Sequence, residues 1–268
     1  MLLAAIALTA LLVAGLFAVL GGGRGSKPGT GGQAHVSHGA TGANRPGSSL
    51  VRSGRRVVRG HSVLGRPIFA VDLGTPALPR KLLVVGCVHG NECAGIAIAR
   101  ELERFPPPLE ADLWLIPDVN PDGFARGTRQ NGHGVDLNRN FPWRWRPLGR
   151  PGDLHYSGPS PLSEPESRFA RHLILRLRPR ITIWFHQPLS VVDESGGSVA
   201  IERRYSRLAG LPLVRLPRYP GSAASWQNHA LRGTTAFVVE LPPGPLSREA
   251  ARRYAEGILD LGGDGPGI

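Results

Sequence analysis

The sequence predicts an α/β fold: a mixed, mostly parallel twisted sheet with helices on both faces, preceded by an apolar N-terminal segment and a disordered linker. Three features of the chain point to it. Four compact runs rich in Val, Ile, Leu and aromatics, KLLVVGC (81–87), DLWLIPDV (112–119), RITIWF (180–185) and TAFVVEL (235–241), suit strands covered on both faces. Segments with helical spacing fall between them, and strands alternating with helices imply parallel pairing through crossovers. Upstream of about residue 54 the composition is of another kind. With 268 residues and 41% apolar content, the chain holds enough for one substantial core.

Residues 1–20, MLLAAIALTALLVAGLFAVL, carry no charge. As a helix they would reach roughly 30 Å, about one hydrocarbon thickness, so they read as a membrane anchor or an export signal peptide. An extracytoplasmic location, membrane-anchored or secreted, is the expectation. Arg24, Lys27 and Arg45 after the apolar run pull the other way under the positive-inside rule. Residues 21–53 are a linker, Gly/Ser-rich over 21–49, too poor in apolar groups to fold. Residues 54–268 form the globular domain. HSVLGRPIFAVDLG (61–74) reads as a β-hairpin turning at Gly65-Arg66-Pro67. Cys93 to Phe105 has helical spacing and stops at the Pro106–Pro108 run. Ser163 and Glu166 have the spacing of a capping box opening a helix to about Leu177, with proline in the first turn. Leu246 to Leu261 is a closing helix capped by Ser247.

The formal net charge of +12 favours anionic surroundings. The arginines are scattered, with no aromatic interleaving that would make a base-stacking platform, so nucleic acid is not the expected partner.

In open α/β sheets ligands bind beyond the carboxyl ends of the strands. His89 and Glu92 follow the end of one apolar run, His186 directly follows RITIWF, and Glu240 ends TAFVVE. Gly86, Gly90 and Asn91 tolerate the positive φ that a sharp turn out of the strand would need. A His-x-x-Glu pair alone is common and decides nothing. With His186 it makes a His₂Glu set suited to one Zn²⁺ with a position left for water. Glu240 is the second carboxylate that hydrolysis needs, to take a proton from water and pass it to the leaving amine. Cys87 and Cys93 bracket the loop, and their spacing allows a disulfide, two packed thiols, or thiolate ligation.

With GCVHGNE (86–92), NPDG (120–123), TRQNGHGVDLNRNFP (128–142), SEPE (163–166), WFHQP (184–188) and FVVELPPG (237–244) in this order, the chain from about 60 to 260 resembles the zinc carboxypeptidases. That metallocarboxypeptidase family also includes murein-peptide amidases. The resemblance implies one zinc held by His89, Glu92 and His186, with Glu240 as general base and acid. It implies that Asn138 and Arg139 clamp a substrate carboxylate, that Arg129 steadies the scissile carbonyl oxygen, and that Tyr219 in RYPGSAASW (218–226) is the tyrosine of a mobile loop preceding a Gly/Ser-rich run. Ala224 falls near the side-chain pocket position, leaving no counter-ion for a basic C-terminal residue. The short chain and WFHQP look more like the murein-peptide amidase branch, which hydrolyses the bond between γ-D-glutamate and meso-diaminopimelate. The expected partner is a peptide or muropeptide with a free carboxylate, with membrane association through residues 1–20. An amidoacid deacylase of the aspartoacylase type and a non-catalytic wall-binding module are the alternatives.

Overall fold

A computed structural model of the chain describes residues 57–75, 77–106 and 110–263. The apolar stretch 1–20, the linker 21–53 and the expected domain start at 54 lie outside the described residues. The elements are β1 (Val57–His61), β2 (Pro67–Asp72), β3 (Lys81–Val85), α1 (Gly95–Leu102), β4 (Asp112–Ile116), α2 (Pro121–Arg126), α3 (Pro165–Leu177), β5 (Ile181–His186), β6 (Val191–Asp193), α4 (Val199–Ala209), β7 (Leu213–Val214), α5 (Ala223–Ala230), β8 (Thr235–Glu240) and α6 (Arg248–Gly262). They build an eight-stranded sheet in the order β1-β2-β4-β3-β5-β8-β6-β7. The four central strands, β4, β3, β5 and β8, run parallel, and antiparallel pairs join β1 to β2, β2 to β4 and β6 to β8.

The strands are buried on both faces because successive side chains feed two cores. Leu82, Val84, Ile183, Phe185, Phe237 and Val239 pack against α1, α4 and α6. Leu83, Val85, Trp184 and Ala236 pack with α3 and α5 on the other side. The four runs read as strands are therefore strands, and each helix expected within the described residues is present. Ser247 caps α6, its hydroxyl accepting from the Ala250 N–H. The expected capping box on α3 is absent. Glu164 occupies the cap position without a side-chain bond, and Glu166 instead accepts from the Val63 N–H at 3.0 Å and the Asn131 amide at 3.1 Å. A buried carboxylate tying the N-terminal hairpin to the 129–135 segment outweighs a local cap. The run after Tyr219, expected to be a mobile loop, forms α5, which buries Trp226 against β8 and Phe141.

Parallel register carries the ends of β3, β5 and β8 to one sheet edge, with Val85 beside Trp184 and His186 beside Glu240. The loop leaving β3 there is shaped by close approach. None of Gly86, Gly90 and Asn91 has positive φ, so conformational freedom is not what this turn requires. A Cβ on Gly90 would lie 1.9 Å from the backbone carbon of Gly123, because the loop rests directly on α2. Gly90→Ala is expected to destabilise the fold by about 2 kcal/mol or more, read as a lowered denaturation midpoint at unchanged slope.

Candidate active site

His89 and Glu92 lie on the turn between β3 and α1. Cys87 and Cys93 close that turn with a disulfide, their Cα atoms 4.6 Å apart. Asn120, which caps α2 through its side-chain oxygen, donates its amide to the Val88 carbonyl at 3.0 Å and the Arg129 carbonyl at 3.2 Å. At the end of β5, the Gln187 side chain bridges to α1 and the segment after β8. It accepts from the Ala94 N–H at 3.1 Å and donates to the Pro242 and Gly244 carbonyls at 2.7 Å.

So held, three donor atoms from distant parts of the chain converge. His89 Nδ1 is 2.9 Å from Glu92 Oε2, and His186 Nδ1 is 3.1 Å from His89 Nδ1 and 3.3 Å from Glu92 Oε2. His89 Nε2 faces Asp136 Oδ1 at 2.9 Å, which assigns the proton of a neutral ring to Nε2 and leaves Nδ1 as a lone pair. Tetrahedral zinc with bonds of about 2.0–2.1 Å spaces its ligands roughly 3.3 Å apart, so the cluster fits a divalent cation in donor type and spacing. Among the described residues it is the one His/Cys/Asp/Glu group with this geometry. The thiolate reading of the cysteines is set aside, since both sulfurs are bonded to each other.

Asp136 had no role in the sequence reading, although it lies inside GVDLNRN. It is fully buried. Besides His89 it accepts from Arg129 Nε at 3.0 Å and the Asn138 N–H at 2.9 Å, and His155 Nδ1 lies at 3.5 Å. A carboxylate inside a motif chosen for its arginines has no signature by spacing; only the fold brings it under His89.

Burial alone would raise the Asp136 carboxyl, but the charge of His89 and the bonds from His155 and His89 hold it well below the usual range. Burial likewise opposes charge on His89, yet Asp136 and Glu92 outweigh it and leave that imidazole above its ordinary value. His186 is pushed down to about 4, mainly by burial, so it stands neutral and able to give a lone pair. Burial raises Glu92, but its bonds to His186 and His89 bring it far below normal. Glu240 rises to about 7, chiefly through burial and then the charge of Glu92. Its Oε2 has no hydrogen-bond partner among the described residues.

His89, Glu92, His186 and Glu240 line a cavity of about 240 Å³ together with Arg129, Asn138, Arg139 and Tyr219, so every site residue expected from the sequence reaches it. Arg129 donates to Glu92 Oε1 at 2.6 Å as well as to Asp136. Arg139 is 4% exposed, its guanidinium 4.2 Å from the centroid of the Tyr219 ring. The chain before α5 is pressed onto it. Gly221 has φ +74°, and a Cβ there would lie 2.0 Å from the Arg139 carbonyl oxygen. Asn138 Oδ1 accepts from the Ala223 N–H at 2.9 Å. Ala224 lines the cavity as expected. Asp193, Ser195, Arg218 and His155 also line it and were missed. Arg218 directly precedes Tyr219, the nearest thing to a signal for it.

Comparison with known proteins agrees with this geometry. The family model described as zinc carboxypeptidase matches residues 109–196, which include Arg129, Asn138, Arg139 and His186. The chain is 32% identical over 217 residues to murein peptide amidase A of Escherichia coli K12, covering 75% of this chain and 87% of that protein. It is 34% identical over 199 residues to murein peptide amidase A of Vibrio campbellii, covering 69% and 78%. The crystal structure of murein-tripeptide amidase from Escherichia coli O157 superposes with a TM-score of 0.64 at 30% identity, covering 78% of this chain and 92% of that one. Carboxypeptidase A from Helicoverpa armigera shares the fold with a TM-score of 0.66 at 20% identity, covering 78% and 67%.

Replacing the supporting carboxylate, Asp136→Asn, is expected to weaken zinc binding about 10–100-fold in a competitive chelator titration. Glu240 gives a separate test on metal-stripped protein. Its carboxyl goes from an ordinary 4.5 to about 7 in the fold, so its stabilising contribution is complete below pH 4.5 and is lost as pH rises through 7. Glu240→Gln escapes that loss. At pH 8 the variant should be more stable than the parent by about 1–2 kcal/mol, allowing for the part of the carboxylate that water still reaches, and the difference should vanish near pH 4.

Proposed function

Since the chain belongs to the zinc carboxypeptidase family, we propose that it hydrolyses an amide bond next to a free carboxylate in wall-derived peptides, the bond between γ-D-glutamate and meso-diaminopimelate. One observation carries the reading: His89 Nδ1, Glu92 Oε2 and His186 Nδ1 meet within 3.3 Å in the cleft that also holds Glu240, Asn138 and Arg139. The likeness to two murein peptide amidases over most of their length supports the substrate class.

Those three side chains would hold zinc, which when bound would supply the Lewis-acid charge needed to polarise a carbonyl and acidify water. The rest is done by the chain. Arg139 takes the substrate carboxylate, because a planar guanidinium matches its two oxygens and this one is already desolvated. The Asn138 side chain, fixed by the Ala223 N–H, binds beside it. Arg129, anchored on Glu92 and Asp136, offers its remaining N–H to the carbonyl oxygen as charge builds there. Glu240 accepts the proton of the attacking water and delivers it to the leaving amine, work for which a carboxyl titrating near 7 is well matched. Tyr219, 44% exposed over Arg139, closes on the bound carboxylate. The Cys87–Cys93 bridge supports an oxidising, extracytoplasmic compartment, with residues 1–20 as anchor or export signal.

Mass spectrometry of L-Ala-γ-D-Glu-meso-diaminopimelate incubated with zinc-loaded protein should show release of diaminopimelate, and an N-acylated amino acid should stay intact. Glu240→Gln should lower turnover at least about 10³-fold while the zinc content stays at one per chain. Loss of zinc from the variant, or turnover equal to the parent's, would contradict the role given to Glu240.

A further inference from the structure

The cleft holds more cationic charge than one substrate carboxylate requires. Arg139 is committed to the carboxylate beside the scissile bond. Arg129 is engaged by Glu92 and Asp136. A third guanidinium, Arg218, lines the same cavity with Asp193, Ser195 and Leu216. Asp193 ends β6 and is 4% exposed. Its Oδ1 accepts from the Leu216 N–H at 2.9 Å and from Arg218 Nη1 at 3.1 Å, and its Oδ2 from the Ser195 hydroxyl at 2.6 Å and Arg218 Nη1 at 2.8 Å. Both oxygens are thus occupied, and Asp193 has little left to offer an incoming ammonium group.

Arg218 is held by one corner only. Its bonds to Asp193 and to the Leu216 carbonyl all leave from Nη1, while Nη2 is buried and finds no acceptor among the described residues. A desolvated, unpaired donor on a charged guanidinium is costly, so the cleft wall is incomplete without an acceptor. The acceptor that matches a planar guanidinium edge is a carboxylate.

We propose that Arg218 binds a second carboxylate, carried at the far end of the side chain of the released amino acid, with Asp193 as the residue that positions it. The cleft then selects a leaving residue with two carboxylates, one on Arg139 and one on Arg218. This rests on the amidase reading and sharpens it. Diaminopimelate carries such a distal carboxylate, and lysine has the same chain without it. A basic side chain gains nothing from Arg218, and neighbouring Ala224 offers it no counter-ion.

The test uses zinc-loaded protein and two substrate pairs that differ in the distal carboxylate: L-Ala-γ-D-Glu-meso-diaminopimelate against L-Ala-γ-D-Glu-L-Lys, and N-acyl dipeptides ending in Glu against Gln. The parent should favour the carboxylate-bearing member about 10–100-fold in kcat/KM, mostly through KM. Arg218→Gln should collapse that ratio to within a few-fold in any series that is turned over, and Arg218→Lys, which keeps the charge but not the fork, should retain part of it. An unchanged ratio in both variants, or no preference in the parent, overturns the proposal. Turnover of the dipeptides without either muropeptide defeats the amidase reading, and the Glu-to-Gln ratio then still decides the role of Arg218. Zinc content and circular dichroism of each variant separate lost recognition from lost fold, and a misfolded Arg218→Gln leaves the decision to Arg218→Lys.

Discussion

Two imidazole nitrogens and a carboxylate oxygen crowd within 3.3 Å of one another in a place from which water is largely excluded. Three lone-pair donors do not share such a space without a positive charge among them. In the metal-free state protons must supply it, and the raised His89 and depressed Glu92 are the electrostatic trace of that demand. A divalent cation meets the same demand with a better match of charge and geometry. The arrangement is held from outside. Asp136 fixes His89, Arg129 ties Asp136 to Glu92, the disulfide closes the turn, and Gln187 ties the end of β5 to α1.

The sheet explains why these groups meet. Parallel pairing of β3, β5 and β8 gives all three strands a carboxyl end on one edge, so residues 89, 186 and 240 converge although they lie far apart along the chain. β6 then returns antiparallel to β8, pairing Val191 with Glu240, and brings Asp193 into the cleft wall. The same reversal that ends the parallel core thus supplies the wall where a released side chain would lie.

Much of this was legible in the chain. The four central strands read as unbroken apolar runs because both their faces are covered, and His186 and Glu240 stand out as polar groups closing such runs. Elements at the margin were not legible. β6 and β7 have three and two residues, too few for a period, and α5 is short and hidden in small residues. α4 was missed although Ser198 precedes Ile201, Tyr205 and Ala209 at helical spacing. Asp136, Asp193 and Arg218 owe their place to contacts between distant segments, which no local pattern encodes. Gly90 was assigned to a turn by composition, whereas its neighbour Gly123 across the fold is the physical reason for it.

Three guanidinium groups, a raised carboxyl and a triad of metal donors in one cleft make sense together only if the cation sits where the triad says it does. Anomalous diffraction from crystals of the zinc-loaded protein, recorded on either side of the zinc absorption edge, tests this most directly. The expected result is one strong peak per chain bounded by His89 Nδ1, Glu92 and His186 Nδ1. A peak elsewhere, or none at these atoms at saturating zinc, would contradict the account.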